Sequence, residues 1–278
     1  MKNKQKRMAV IQDLSGFGRC SLTVALPVIS AMKIQSCPVI TSIFSNHTAY
    51  PNYFFDDYTE KMPEYIENWK KLGLVFDGLY TGFLGSERQI EIVRDFIRDF
   101  KGPETKVIID PVMGDNGKAY ATYTEEMCGN MRRLAAMGDI LTPNVTELCI
   151  LTETPYGKGS FTAAQYAEMA EKLAAMGPSQ IVITGIRQGT WIANGVYERG
   201  KPFHIIRTRS AGACRCGTGD LFASIIAADA VTGTDFSQSV RKAASFVKKC
   251  IIRSQELNIP LTDGVCFEEY LGELGRER

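Results

Sequence analysis

Gly212-Ala213-Cys214-Arg215-Cys216-Gly217-Thr218-Gly219-Asp220 runs directly into an apolar stretch, 221–231. Small residues that open a helix leave several backbone N–H groups free to converge on an anion. During phosphoryl transfer the moving group accumulates charge on its equatorial oxygens, and such a nest stabilises that charge. A carboxylate at the start of the same helix can take the proton of an attacking hydroxyl. A plainer reading stays open, in which Asp220 only answers the positive end of the helix dipole. The segment is not a Walker A loop, because GxxxxGK[ST] occurs nowhere in the chain.

Upstream of this segment, short β-branched runs alternate with longer helical periodicities. Residues 8–12, 38–42, Gly78–Thr81, Lys106–Ile109, 140–142 and 180–184 read as buried strands. Glu87–Phe100 reads as an amphipathic helix, with Ile90, Val93, Phe96, Ile97 and Phe100 on one face, and 124–136 and 162–175 follow the same pattern. Two further β-rich runs, 190–197 and 203–208, joined by Glu198-Arg199-Gly200-Lys201-Pro202, predict an antiparallel hairpin. Helices over 219–232 and Phe236–Glu256 and then a tail complete the chain. The expectation is one three-layer α/β domain over 1–278, with a mostly parallel central sheet, helices on both faces and the hairpin appended.

Ligands in such folds bind beyond the carboxyl ends of the strands. There the chain places Gln12-Asp13-Leu14-Ser15-Gly16-Phe17-Gly18, then Phe44-Ser45-Asn46-His47-Thr48-Ala49-Tyr50, then Asp110-Pro111-Val112-Met113-Gly114-Asp115, then Thr142-Pro143-Asn144-Val145-Thr146-Glu147. The glycines after the first strand lack the full GxGxxG dinucleotide fingerprint. His47 suits a structural role as well as a ligand-binding one. Asp110, Asp115 and Glu147 suit Mg²⁺ shared with phosphate oxygens. Asn144 or Thr146 can equally cap the next helix, with Glu147 favouring its positive end.

Bulk composition narrows the field. Lys plus Arg total 32 against 31 Asp plus Glu, a net charge of +1 that gives no basic surface for nucleic acid. No apolar run reaches the roughly 20 residues of a bilayer span, and residues 1–7 read as a solvated tail rather than a signal peptide. A cytoplasmic protein is expected. The eight cysteines form no CxxC pair and only two histidines are present, which argues against structural zinc. Cys149 and Cys250 sit in apolar segments and read as reduced core residues. Cys216, beside Arg215 and a helix start, has the setting of a thiol with a lowered pKa or of an inert small residue.

These motifs resemble the ribokinase-like superfamily and, within it, the pyridoxal kinases, from about Met8 to Leu257. The resemblance rests on Phe44-Ser45-Asn46-His47-Thr48, Gly82-Phe83-Leu84-Gly85-Ser86, Asp110 to Asp115, Thr142-Pro143-Asn144 with Glu147, and Gly217 to Asp220. It implies that Asp220 is the base for the 5′-hydroxymethyl group of pyridoxal, pyridoxine or pyridoxamine, in salvage of pyridoxal 5′-phosphate. Gly217, Thr218 and Gly219 would form the anion hole. Asp110, Asp115 and Glu147 would organise Mg²⁺ and the ATP triphosphate, partly through water, with Thr142 and Thr184 on the phosphates. Cys214 and Arg215 would contact ATP from a flexible segment near 207–216 that closes over the site. Asp13, Ser15, Thr48 and Phe83 would surround the vitamer. K⁺ often assists phosphate binding in this family, and its members are usually homodimers.

Two positions depart from the family, which commonly has Ser where Asp13 stands and Tyr where Phe83 stands. Asp13 adds a charge that suits a protonated ring nitrogen or the amine of pyridoxamine. The nearest rival reading is a hydroxymethylpyrimidine kinase of thiamine biosynthesis; a sugar or nucleoside kinase comes third. A non-catalytic vitamin carrier on the same fold is the rival from another class.

Overall fold

The computed structural model describes residues 5–157 and 160–275. In chain order its elements are β1 Arg7–Ser15, α1 Leu22–Ala31, β2 Gln35–Phe44, β3 Phe55–Asp57, α2 Met62–Lys71, β4 Gly78–Thr81, α3 Glu87–Phe100 and β5 Lys106–Ile109. The small hairpin β6 Gly114–Asp115 and β7 Lys118–Ala119 follows, then α4 Glu125–Ala135, β8 Ile140–Leu141, α5 Val145–Thr152 and α6 Ala163–Ala174. The last part holds β9 Gln180–Gln188, β10 Trp191–Glu198, β11 His204–Arg209, α7 Thr218–Thr232, α8 Phe236–Glu256 and α9 Leu271–Leu274.

Nine strands form one sheet in the order β11-β10-β9-β8-β5-β4-β1-β2-β3. Its centre, β9 to β2, is parallel throughout, while β9–β10, β10–β11 and β2–β3 pair antiparallel. The predicted hairpin is therefore present, as two strands of an antiparallel extension at one edge. Alternation along β1 explains the layers: Met8 and Val10 point to the side of α1, α7 and α8, Ala9 and Ile11 to the side of α2 to α6. Because β1 lies between β4 and β2, the chain reverses its direction of winding there, and a large cleft lies beyond the carboxyl ends of β5 and β8, alongside β9.

Two expectations need correction. Of the expected tail 1–7, residues 1–4 lie outside the described residues, but Lys6 pairs with Asp77 at 2.8 Å and Arg7 already belongs to β1. The tail after α8 is no loose end either. Val265 is fully buried and Phe267 is 2% exposed, and the stretch 258–268 runs as a strap held by Arg19, His47 and Arg215.

Candidate active site

Asp220 sits in the first turn of α7, where the chain enters the helix through Gly217 at φ 78°. A Cβ at Gly217 would stand 2.1 Å from the Arg19 carbonyl oxygen, so both the left-handed backbone and the close approach demand glycine. Burial pushes Asp220 up to about 6, and the Ser21 backbone N–H offsets part of that shift. Asp110, just past β5, is pushed up to about 7 by burial and then by the charge of Asp220. One Asp110 oxygen accepts the Thr142 hydroxyl at 2.8 Å. The two acids thus face one another across a cleft of about 870 Å³.

Asp110, Asp115, Thr142, Glu147, Thr184 and the 214–220 segment all line this cleft, so the structure gathers the sequence-predicted nucleotide residues. Glu147 does so as part of a helix cap. Asn144 is the N-cap of α5 and forms a capping box with Glu147. The Glu147 oxygens accept the amides of Asn144 (2.8 Å) and Met113 (3.2 Å). Thr146 has a different task and accepts the Gly117 N–H at 2.8 Å. Burial and the charge of Asp110 hold the Glu147 carboxyl well above its ordinary range. Asp115 stands exposed on β6, its oxygens turned to Asn116.

Among the described residues no three acids, cysteines or histidines cluster as a metal cage. Mg²⁺ does not need one, since it binds through one or two carboxylates plus substrate phosphates. Asp110 keeps an oxygen beyond the one held by Thr142, and the buried negative charge around it is what a cation would relieve.

The vitamer-side residues are arranged less as expected. Asp13 is 4% exposed, and its carboxylate accepts the hydroxyls of Ser21 at 2.5 Å and Ser15 at 2.9 Å. Burial raises its pKa, with both hydroxyls working against the rise. Asp13 and Ser15 therefore turn toward each other, and the Asp13 charge adds to the upward push on Asp220. Thr48 is exposed, and Phe83 is half-buried against the core. His47 is structural: its Nδ1 accepts the Ala49 N–H at 3.1 Å, which makes Nε2 the donor to the Thr262 carbonyl at 2.6 Å.

Arg215 lines the cleft with the rest of its segment, and its guanidinium is also engaged on the far side of that segment. Its Nη1 donates to the carbonyls of Ile259 (2.7 Å) and Pro260 (3.0 Å), so its charge grips the strap. The Cys20 thiol lies against Cys216 and is pushed well above its ordinary value, first by their hydrogen bond and then by burial. Cys214 is exposed beside the Thr218 hydroxyl. Residues 207–209 belong to β11 rather than to a loop. Cleft residues that no motif announced include Tyr120, Arg187, Asn194 and Lys248. They are single positions, Tyr120 in the loop after β7 and the others on strands and a helix, and carry no spacing signal.

The strap joins the two halves. Beyond Arg215 and His47, Tyr50 donates to Asp263 Oδ1 (2.7 Å), Arg19 donates to the Asp263 carbonyl (3.0 Å), and the Val265 N–H donates to the Cys216 carbonyl (3.2 Å).

Comparisons with known proteins agree with this geometry. A Bacteroides thetaiotaomicron protein assigned as a phosphomethylpyrimidine kinase superposes with TM-score 0.96 at 38% identity, over 100% of this chain and 96% of that one. Its orthorhombic crystal form, with pyridoxal, superposes with TM-score 0.94 at 37% identity over 99% and 97%. A pyridoxal kinase of Leifsonia xyli is 27% identical over 85% of both chains. The thiamine biosynthetic bifunctional enzyme of Arabidopsis thaliana is 29% identical over 93% of this chain, which spans only 48% of that longer enzyme. The phosphomethylpyrimidine kinase family matches residues 24–262, a span that takes in the acids at 110, 115 and 147, the anion-hole glycines and Asp220. By that match the chain belongs to the phosphomethylpyrimidine kinase family, on the ribokinase-like fold that it shares with pyridoxal kinases.

Proposed function

We propose that the protein transfers the γ-phosphoryl group of ATP to the 5′-hydroxymethyl group of pyridoxal, pyridoxine or pyridoxamine. The observation that carries the substrate is the crystal form with pyridoxal of a protein 37% identical over 99% of this chain. Asp220 is the base: it lies at the amide-rich opening of α7, and a carboxyl near 6 is ionised at neutral pH yet basic enough to share a proton in the transition state. The amides of Gly217, Thr218 and Gly219 neutralise charge that develops on the transferred group. Asp110 and Asp115 would hold Mg²⁺, with Glu147 acting through water, because amides already occupy both of its oxygens. Bound there, Mg²⁺ would neutralise charge on the phosphate oxygens. Thr142 orients Asp110, and Thr184 stands beside the phosphates. Thr48 and Phe83 border the vitamer, while Asp13 and Ser15 support Asp220 from behind.

The second reading is hydroxymethylpyrimidine or its phosphate as acceptor, favoured by the family match and by the assignment of the Bacteroides protein. The vitamers and hydroxymethylpyrimidine are all primary alcohols on flat nitrogen rings, so the chemistry at Asp220 is common to them. Turnover with ATP–Mg²⁺ is to be measured on the three vitamers and on hydroxymethylpyrimidine, each with K⁺ or Na⁺. A kcat/KM for hydroxymethylpyrimidine above that for every vitamer would reverse the assignment. A homodimer belongs to the same proposal. Among the described residues no helix is long and apolar enough to cross a membrane.

A further inference from the structure

Ser21 stands at a backbone position that favours glycine. Its φ of 50° and ψ of −129° lie where a side chain strains the main chain, and such a residue persists only when its surroundings hold it. Ser21 is also the residue from which α1 starts, and its carbonyl accepts the N–H groups of Val24 (3.0 Å) and Ala25 (2.9 Å). A serine in that place commonly turns its hydroxyl onto an amide of its own helix. This one makes no such cap. Its hydroxyl donates instead to the Asp13 carboxylate at 2.5 Å, and both side chains are buried.

Asp13 is aimed there by an irregularity in the sheet. Gln12 pairs with Ile40 and Leu14 with Ile43, so Asp13 stands alone against two residues of β2, and slips of this kind re-aim side chains. One Asp13 oxygen holds Ser21 and the other holds Ser15. Hydrogen bonds to an ionised acceptor are the strong ones, which suits this one to holding a strained residue.

What the anchored loop touches is the opening of α7. A Cβ on Gly217 would stand 2.1 Å from the carbonyl oxygen of Arg19 and 3.4 Å from Cγ2 of Val24, so residues on both sides of Ser21 press on Gly217. Arg19 has a positive φ as well, 45°. Burial raises the Asp220 carboxyl, and the Ser21 N–H that faces it works against the rise. The segment 19–24 is thus the seat of the helix opening that carries Gly217 and Asp220.

We propose that Asp13 and Ser21 are positioning residues, whose hydrogen bond fixes the 19–24 backbone and through it the placement of Asp220 and the anion-hole glycines. This rests on the kinase reading above. A base must stand within hydrogen-bond reach of the hydroxyl it activates, and a displacement of about 1 Å can cost on the order of 10²-fold in rate. Loss of the pair slows the transfer step, while the groups that hold ATP and the acceptor elsewhere in the cleft keep their places.

The test uses the full chain and the variants Ser21→Ala, Asp13→Ala, the two combined, and Asp13→Asn. Steady-state kinetics are run with ATP–Mg²⁺, well below every melting temperature. The acceptor is whichever of the three vitamers and hydroxymethylpyrimidine the wild type turns over fastest. Each alanine variant should lower kcat about ten-fold or more and leave both KM values within about two-fold of wild type. The combined variant should be no slower than the slower single one, because both remove the same bond. Asp13→Asn keeps an acceptor for the Ser21 hydroxyl and should recover most of the lost rate. An unchanged kcat in Ser21→Ala overturns the inference, even if the melting temperature falls. So does an acceptor KM raised in Asp13→Ala alone, which makes Asp13 a substrate contact, or losses that multiply in the combined variant. Should Asp13→Ala not fold, a slow Ser21→Ala beside a fast Asp13→Asn carries the same contrast. A wild-type chain that phosphorylates no acceptor overturns the kinase reading and this inference with it, whereas a wild-type rate in Ser21→Ala removes this inference alone.

Discussion

Asp220 must be charged to accept a proton, yet it sits where burial favours the neutral form. Asp220→Asn keeps the shape and removes the base, so kcat should fall by about 10²–10⁴ with little change in the vitamer KM, as steady-state kinetics will show. The same carboxyl sets an acid limb. Below about 6 the base is protonated, so kcat/KM should rise roughly ten-fold per pH unit up to that point and then level off. Stability follows the opposite sign. A carboxyl raised from 3.8 to about 6 by folding contributes stability that is full below 3.8 and is lost as pH rises through 6. Ligand-free Asp220→Asn should therefore be more stable than wild type at pH 8, by on the order of 1–3 kcal/mol, and equal to it near pH 4; melting curves at the two pH values decide this. Asp220 was legible because an acid and three small residues at a helix start form a pattern. The hold of Arg215 on Ile259 and Pro260 was not legible, because the target of a guanidinium depends on where a segment some 45 positions later returns. Asn194 was invisible, being one polar residue in a strand.

Helix openings carry most of the site, and they differ in what they tolerate. Gly217→Ala introduces a methyl 2.1 Å from the Arg19 carbonyl at a positive φ. It should cost on the order of 1–3 kcal/mol of stability and reduce turnover at least as far as a lost anion-hole donor does, about 10²-fold; melting curves and kinetics on the same preparation check both. Asn144→Ala removes the cap of α5, leaving the Glu147 backbone N–H without its acceptor and the Gly114 carbonyl without its donor. About 1 kcal/mol of stability should go with it, visible in denaturant unfolding. α3 was readable to its ends because one face is apolar at helical spacing and Ser86 caps it. β3 and the β6–β7 hairpin were not, since strands of two or three residues are too short to show alternation and exist only through the partners they meet. The described residues after α8, 257–275, showed no periodicity for the same reason: their contacts are with distant loops and with α1.

For the molecule as a whole, the parallel centre of the sheet is dictated by the strand–helix alternation, and that much was legible before any coordinates. The exposed edge after Tyr53 lies at the β3 end of the strand order. β3 and the residues before it present Tyr53, Phe54 and Phe55 at 47%, 63% and 49% exposure, with Phe44 packed behind them. Aromatic surface of this kind beside an edge strand is where a second copy would pack. Phe54→Asp should shift the proposed dimer to monomer in light scattering while leaving the melting temperature of the monomer within about 1 °C, as an exposed substitution does.

The strap gives the molecule a further property. It is tied by Arg215 and Val265 to the side of the proposed anion hole and by His47, Tyr50 and Arg19 to the side of the proposed vitamer site. Neither side can loosen while the other keeps its hold on the same segment. Solvent exchange at the amides of Ala49 and Val265, far apart in sequence, should therefore report one shared opening event. ADP alone should slow exchange at Ala49, and a vitamer alone should slow it at Val265. Whichever substrate arrives first meets the entropic cost of quieting the strap, and the second binds to a site already still.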